Sequence, residues 1–121
     1  MVQLHAALAN GGFEVTPHVT STFKEKFSNN PKKQFFSQEV SKTILGWMES
    51  VVEKGSGSGV KIEGYRIAGK TGTSQKALNG SYTSKKVCSF VATLPVNDPK
   101  YAVLVIIDEP SKSYALSLIH I

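Results

Sequence analysis

GYRIAGKTGTSQ, residues 64–75, supports two incompatible readings. Gly64, four residues, then Gly69-Lys70-Thr71 fits the Walker A spelling of a phosphate-binding loop. The same stretch contains Lys70-Thr71-Gly72-Thr73, a spelling that suits an extended strand. The first reading has support elsewhere. AVLVIIDE, residues 102–109, is an apolar run closing on Asp108-Glu109, as a Walker B strand would be.

Local physics decides against the loop. A phosphate-binding loop needs a helix to open near its Lys-Thr pair, because the helix N-terminus supplies the N–H groups and dipole that hold phosphate. Here Lys70 is followed by Thr71, Gly72, Thr73 and Ser74, a poor helix start. No amphipathic helix of useful length follows before Asn79-Gly80, and Tyr65, Arg66 and Ile67 suit a pleated strand.

Topology argues the same way. Strand candidates are 65–73, 87–94 and 101–107. Parallel neighbours need a crossover of roughly a dozen residues. Only the short stretch around Pro95 and Asn97-Asp98-Pro99 separates the second candidate from the third, so these two form a hairpin. Asn79-Gly80 is the turn signal for another. The expected fold class is therefore α+β, an antiparallel β-sheet flanked by helices, and P-loop nucleotide binding is disfavoured.

The helical parts lie upstream. Residues 2–9 are good helix formers that Asn10-Gly11-Gly12 stops. Too short to be stable alone, they read as the last turns of a helix. Residues 13–19 look extended, with Pro17 suggesting an edge. Residues 20–36 are polar and lysine-rich, a surface loop with Phe23, Phe27, Phe35 and Phe36 as anchors. Residues 38–53 give the clearest helix, with Val40, Ile44, Trp47, Met48, Val51 and Val52 recurring at helical spacing. Ser37 caps its start, Gly55 ends it, and Trp47 and Met48 are expected in the core. GSGSG, residues 55–59, reads as a flexible connection.

Composition narrows the function classes modestly. The 121 residues make one small domain or a piece of a larger one, and the net charge of +5 is dispersed. Such a surface selects neither nucleic acid nor lipid, and a solvated face is the simpler reading. One cysteine, Cys88, rules out an internal disulfide and sits in an apolar run as a small buried hydrophobe. His5, His18 and His120 lack metal-ligand spacing, so no metal or other cofactor is expected. Asp108 and Glu109 read as solvated or capping groups rather than acid–base catalysts. No apolar stretch is long enough to span a membrane, and no signal-peptide pattern opens the chain.

Read as a strand, residues 70–73 have a chemical logic. Side chains alternate, so Thr71 and Thr73 share a face where two hydroxyls can hold a carboxylate. Lys70 and Gly72 share the other. Gly72 lets a neighbouring group approach closely. Lys70 supplies positive charge that attracts an anionic substrate and biases nearby proton transfers. A strand edge also offers backbone N–H groups to a developing oxyanion.

GYRIAGKTGTSQ, then SFVATLPVNDPKYAVLVIIDEP at 89–110, with VQLHAALANGG at 2–12, resembles the penicillin-binding proteins, specifically the class B transpeptidases of cell-wall synthesis. The resemblance implies a five-stranded antiparallel sheet flanked by helices, of which this chain holds the C-terminal part. It implies a serine that attacks the D-Ala-D-Ala end of a peptidoglycan stem peptide, forms an acyl-enzyme, and passes the acyl group to an amine of a neighbouring strand. β-Lactams would acylate the same serine. By position, Lys70 would assist proton handling and substrate electrostatics. Thr71 and Thr73 would hold the substrate or antibiotic carboxylate, with Gly72 between them, and the Thr73 N–H would be half of the oxyanion hole. The implied partners are peptidoglycan stem peptides, β-lactams and membrane proteins of cell division or elongation, not nucleic acid. The implied location is the outer face of the bacterial cytoplasmic membrane, with the anchor outside this chain.

Two further motifs of that family, Ser-x-x-Lys with the nucleophile and Ser-x-Asn, are expected upstream of residue 1. Ser21-Thr22-Phe23-Lys24, Ser58-Gly59-Val60-Lys61 and Ser28-Asn29-Asn30 imitate their spellings. All three are rejected, because the nucleophile should open a buried helix where Ser and Lys meet one turn apart. Residues 1–113 are accordingly taken as the C-terminal part of a transpeptidase domain, inactive alone. Residues 114–121, YALSLIHI, are set apart as a tail of doubtful origin. A serine β-lactamase relative and a non-catalytic penicillin-binding or sensor domain stay open as alternatives, which the upstream sequence would separate.

Overall fold

The computed structural model of the chain describes residues 1–20 and 32–111. Phe23, Phe27, the look-alike motifs beginning at Ser21 and Ser28, and the 114–121 tail lie outside the described residues.

Three strands form one antiparallel sheet: β1 (Ala68–Leu78), β2 (Ser81–Leu94) and β3 (Tyr101–Asp108), in the order β1-β2-β3. Asn79 and Gly80 both have positive φ, 51° and 79°. That is the type I′ geometry whose twist matches the flanking strands, so pairing continues up to the turn at Leu78 opposite Ser81. For this reason β1 and β2 run further into the polar stretch than composition suggests. At its other end β1 starts later than expected, at Ala68, because residues 62–65 make a turn in which the Tyr65 N–H donates to the Ile62 carbonyl. Three strands are fewer than the five that the resemblance implies for a whole domain. The far edge of β3 has no strand neighbour among the described residues.

Two helices pack on the sheet. α1 (Val2–Ala9) is followed by Gly11 and Gly12, both at positive φ, where the Gly12 N–H returns to the Ala7 carbonyl at 2.8 Å. α2 (Gln38–Lys54) begins at Ser37, whose hydroxyl accepts the Val40 N–H, and closes at Gly55, whose N–H donates to Val51. The stretch at 13–19 forms no strand. Among the described residues, only Phe13 of this stretch pairs, in an isolated antiparallel bridge to Gln34.

The buried stripe of α2 is Ser41, Leu45, Met48 and Val52, at i, i+4, i+7 and i+11. Leu45 and Met48 pack with Leu8 of α1 and with Ala68 and Val91 of the sheet. Val52 packs with Ile67 and Phe90 in a second cluster. Met48 is thus in the core as expected, but Trp47 is not: it is 69% exposed. Successive helical residues point about 100° apart, so the stripe through Met48 turns Trp47 away from the sheet. Cys88 is fully buried, in keeping with a small hydrophobe.

Candidate active site

Residues 70–73 lie within β1, extended and on the outer edge of the sheet. The helix that a phosphate loop requires is absent from this position. Asp108, the Walker B candidate, pairs across β2 at Val87, four residues from Val91, the partner of Lys70. Both its carboxylate oxygens accept from the Lys76 amine, at 2.9 and 3.0 Å. Glu109 bonds the same amine at 2.8 Å and pairs with Lys85 at 3.0 Å. These hydrogen bonds hold the Glu109 carboxyl below its usual range and raise Lys76 above its own. The acidic pair therefore serves a cross-strand clamp.

Backbone orientation at the edge follows from the register. The Glu109 N–H donates to the Lys86 carbonyl, so even-numbered residues of β2 turn their backbone groups toward β3. Phe90 and Cys88 are even-numbered, and they face Thr71 and Thr73. Those two pairs are thus the non-hydrogen-bonded kind, and the N–H and C=O of Thr71 and Thr73 point to the open edge of β1. The side chains agree with this. The Lys70 ammonium donates to the Thr71 carbonyl at 2.7 Å.

The same ammonium comes within 3.5 Å of the Thr71 hydroxyl. Alternation alone put Lys70 and Thr71 on opposite faces. Their Cβ atoms obey it, but the four-carbon lysine stem curls around an edge that no strand among the described residues covers, bringing the charge to the threonine side. Thr73 is exposed one step further along the same face. Gly72 lies opposite Ser89, and a Cβ built on it would fall 2.6 Å from the Ser89 oxygen. The close approach expected at this glycine is made by Ser89, whose hydroxyl donates to the Gly72 carbonyl at 3.4 Å.

Three other residues support this edge, and sequence reasoning assigned none of them. The Ser56 hydroxyl lies 3.1 Å from that of Thr71. The expectation of a flexible connection at 55–59 missed it. The segment is a hydrogen-bonded turn leading into a 3₁₀ helix at Ser58–Val60. Within the rejected look-alike there, the Lys61 amine bonds Glu53. The other two residues are Glu49 and Arg66, paired through two hydrogen bonds of 2.6 and 2.7 Å that tie α2 to the approach to β1. The Arg66 hydrogen bonds hold the Glu49 carboxyl below its ordinary value. No local signal links either pair, since the partners are 15 and 17 residues apart.

Among the described residues, no group of three or more His, Cys, Asp or Glu side chains gathers in a way that suits a metal ion. None of their helices is long and apolar enough to cross a membrane.

Comparison with known proteins bears on the family and the fold of the chain. The family model described as the penicillin binding protein transpeptidase domain matches residues 1–119. A peptidoglycan D,D-transpeptidase FtsI homolog of Chlorokybus atmophyticus is 46% identical over 87 residues, covering 70% of this chain and 13% of the relative. The homolog of that name in Mesostigma viride is 38% identical over 132 residues, covering 92% of this chain and 22% of the relative. Among solved structures, the apo TP domain of penicillin-binding protein 3 from Burkholderia pseudomallei superposes with a TM-score of 0.73 at 28% identity, over 91% of this chain and 33% of that one. The chain spans less than a quarter of the length of these two curated relatives.

Proposed function

The chain belongs to the penicillin-binding protein transpeptidase domain family, and from that premise we propose that it supplies the carboxylate-binding and oxyanion side of a serine D,D-transpeptidase site. The observation that carries the reading is the edge position of residues 70–73, with Lys70, Thr71 and Thr73 turned to open space on one rim of the sheet.

In this reading the terminal carboxylate of a D-Ala-D-Ala stem peptide, or of a β-lactam, accepts from the hydroxyls of Thr71 and Thr73. The Lys70 ammonium neutralises the incoming charge and biases proton transfer at the nucleophile. Gly72 keeps the strand flush with β2, so that the hydroxyls stay in register. The outward N–H of Thr73 donates to the oxyanion that forms when the serine adds to the scissile carbonyl. Collapse of that adduct expels D-Ala, or opens the lactam, and leaves an acyl-enzyme. An amine of a neighbouring stem peptide then takes the acyl group and the serine recovers its proton. The serine and the Ser-x-Asn motif are placed in polypeptide outside residues 1–121, and residues 1–113 form the C-terminal part of the domain. The whole protein would act at the cell envelope, on the outer face of the cytoplasmic membrane. Its partners would be membrane proteins of division or elongation.

Labelling with a fluorescent penicillin tests this. The full-length protein that contains the chain should become covalently labelled, and residues 1–121 alone should not. Label on the isolated chain that disappears in Ser21→Ala would move the nucleophile into this segment. Absence of label on the full-length protein would favour a non-catalytic domain. Rapid release of the label would favour a β-lactamase relative.

A further inference from the structure

We propose, on the basis of the reading above, that Ser56 is a positioning residue of the carboxylate site: it fixes the Thr71 hydroxyl and so sets the preference for ligands that carry a carboxylate. The two side-chain oxygens are 3.1 Å apart, and the Lys70 ammonium lies 3.5 Å from the Thr71 oxygen on the same rim.

An ammonium only donates, so Thr71 acts as acceptor toward Lys70. Each hydroxyl carries one proton, and their mutual bond uses one of the two. With Ser56 donating to the Thr71 oxygen, the Thr71 O–H remains for the ligand, held in direction by its neighbour. Without Ser56 the Thr71 hydroxyl keeps its proton but loses the contact that orients it.

The backbone delivers Ser56 to this place. The Val51 carbonyl accepts from the N–H groups of both Gly55 and Gly57, each at 3.0 Å, which folds the end of α2 back on itself with Ser56 at the bend. A Cβ on Gly55 would sit 2.9 Å from the Val51 oxygen, and one on Gly57 would sit 3.3 Å from it and 3.4 Å from Val52. Glycine on both sides of the serine is what allows so tight a turn. Val52 in turn packs with Phe90 of β2, the cross-strand partner of Thr71. The turn and the strand are thus held against one another by buried contacts, while Ser56 itself is exposed and replaceable.

The test uses the full-length protein with two acyl donors, ampicillin, which carries a carboxylate, and a neutral thioester, which does not. Ser56→Ala should raise the half-saturating concentration of ampicillin about threefold to tenfold, the worth of one hydrogen bond. The limiting acylation rate and the thioester reaction should stay unchanged. Ser56→Thr, which restores a hydroxyl, should recover ampicillin binding. Equal loss on both donors, or no loss on either, overturns the proposal. Thr71→Val separates the two levels of inference. If it weakens ampicillin selectively while Ser56→Ala has no effect, the role of Ser56 fails and the carboxylate site stands. If Thr71→Val is also indifferent to the carboxylate, the underlying site assignment fails with it.

Discussion

The Lys70 ammonium lies 2.7 Å from the Thr71 carbonyl oxygen and 3.5 Å from the Thr71 hydroxyl, although the two side chains leave β1 on opposite faces. The strand edge makes this possible. On a central strand the carbonyl would be bonded to a neighbour and the lysine stem would have no rim to wrap. Charge, hydroxyl and outward backbone groups therefore converge because β1 is an edge.

Removing that charge should affect chemistry more than folding, since Lys70 is exposed. For Lys70→Ala in the full-length protein we expect penicillin acylation to slow by about 10²–10³-fold, the scale for losing one preorganised electrostatic group. The thermal midpoint should change little. Stopped-flow acylation and a melting curve on the same sample check both parts.

Thr73 should separate hydroxyl from backbone. Thr73→Val keeps the outward N–H and removes only the hydroxyl. Half-saturation by a carboxylate-bearing β-lactam should rise about tenfold or more, as for a hydrogen bond to a charged group, with a smaller effect on the limiting rate. A loss confined to the limiting rate would contradict the carboxylate role.

Gly72→Ala should destabilise the hairpin, because the new methyl would sit 2.6 Å from the Ser89 oxygen. Overpacking of this kind costs about 1–3 kcal/mol. Trimming Ser89 to Ala should recover part of the loss, since the Ser89 Cβ is 4.0 Å from that point. A double-mutant cycle by denaturant unfolding measures the coupling, and strict additivity would contradict the contact.

The Glu49–Arg66 pair gives stability a defined pH dependence. Hydrogen bonding from Arg66 lowers the Glu49 carboxyl below its ordinary 4.5. A carboxyl depressed in the folded state contributes fully above its unfolded value and loses that contribution as pH falls through the folded one. Glu49→Gln should therefore be less stable than the parent by a constant margin above about pH 4.5, and the margin should close in more acidic solution. Melting temperatures of both proteins across pH 3–7 test this.

Thr93 is fully buried, and its hydroxyl has no hydrogen-bond partner among the described residues. A buried hydroxyl without a partner costs about 1–3 kcal/mol. Thr93→Val keeps the shape and should raise stability by about 1 kcal/mol. Loss of stability would reveal a partner supplied by other parts of the polypeptide.

Much of this architecture was legible in the chain, for local reasons. Asn79-Gly80 specifies a turn by its torsions, and the short segment before Tyr101 forbids a crossover, so antiparallel order follows without any tertiary information. The run through residues 70–73 could be assigned to a strand because no helix start follows Lys70. The α2 boundaries could be read from Ser37 and Gly55. Trp47 marks the limit, since an apolar count at helical spacing does not reveal where the buried stripe is centred.

The sequence alone determined strand order, turn type and which residues carry hydroxyls and charge, because torsional preference and side-chain alternation are properties of a few adjacent residues. Tertiary structure decided that the lysine stem curls to the threonine side, that Ser89 fills the space over Gly72, and that a glycine-flanked serine reaches Thr71. Those contacts depend on how the end of α2 packs against the rim of the sheet, and long-range packing leaves no periodic trace along the chain.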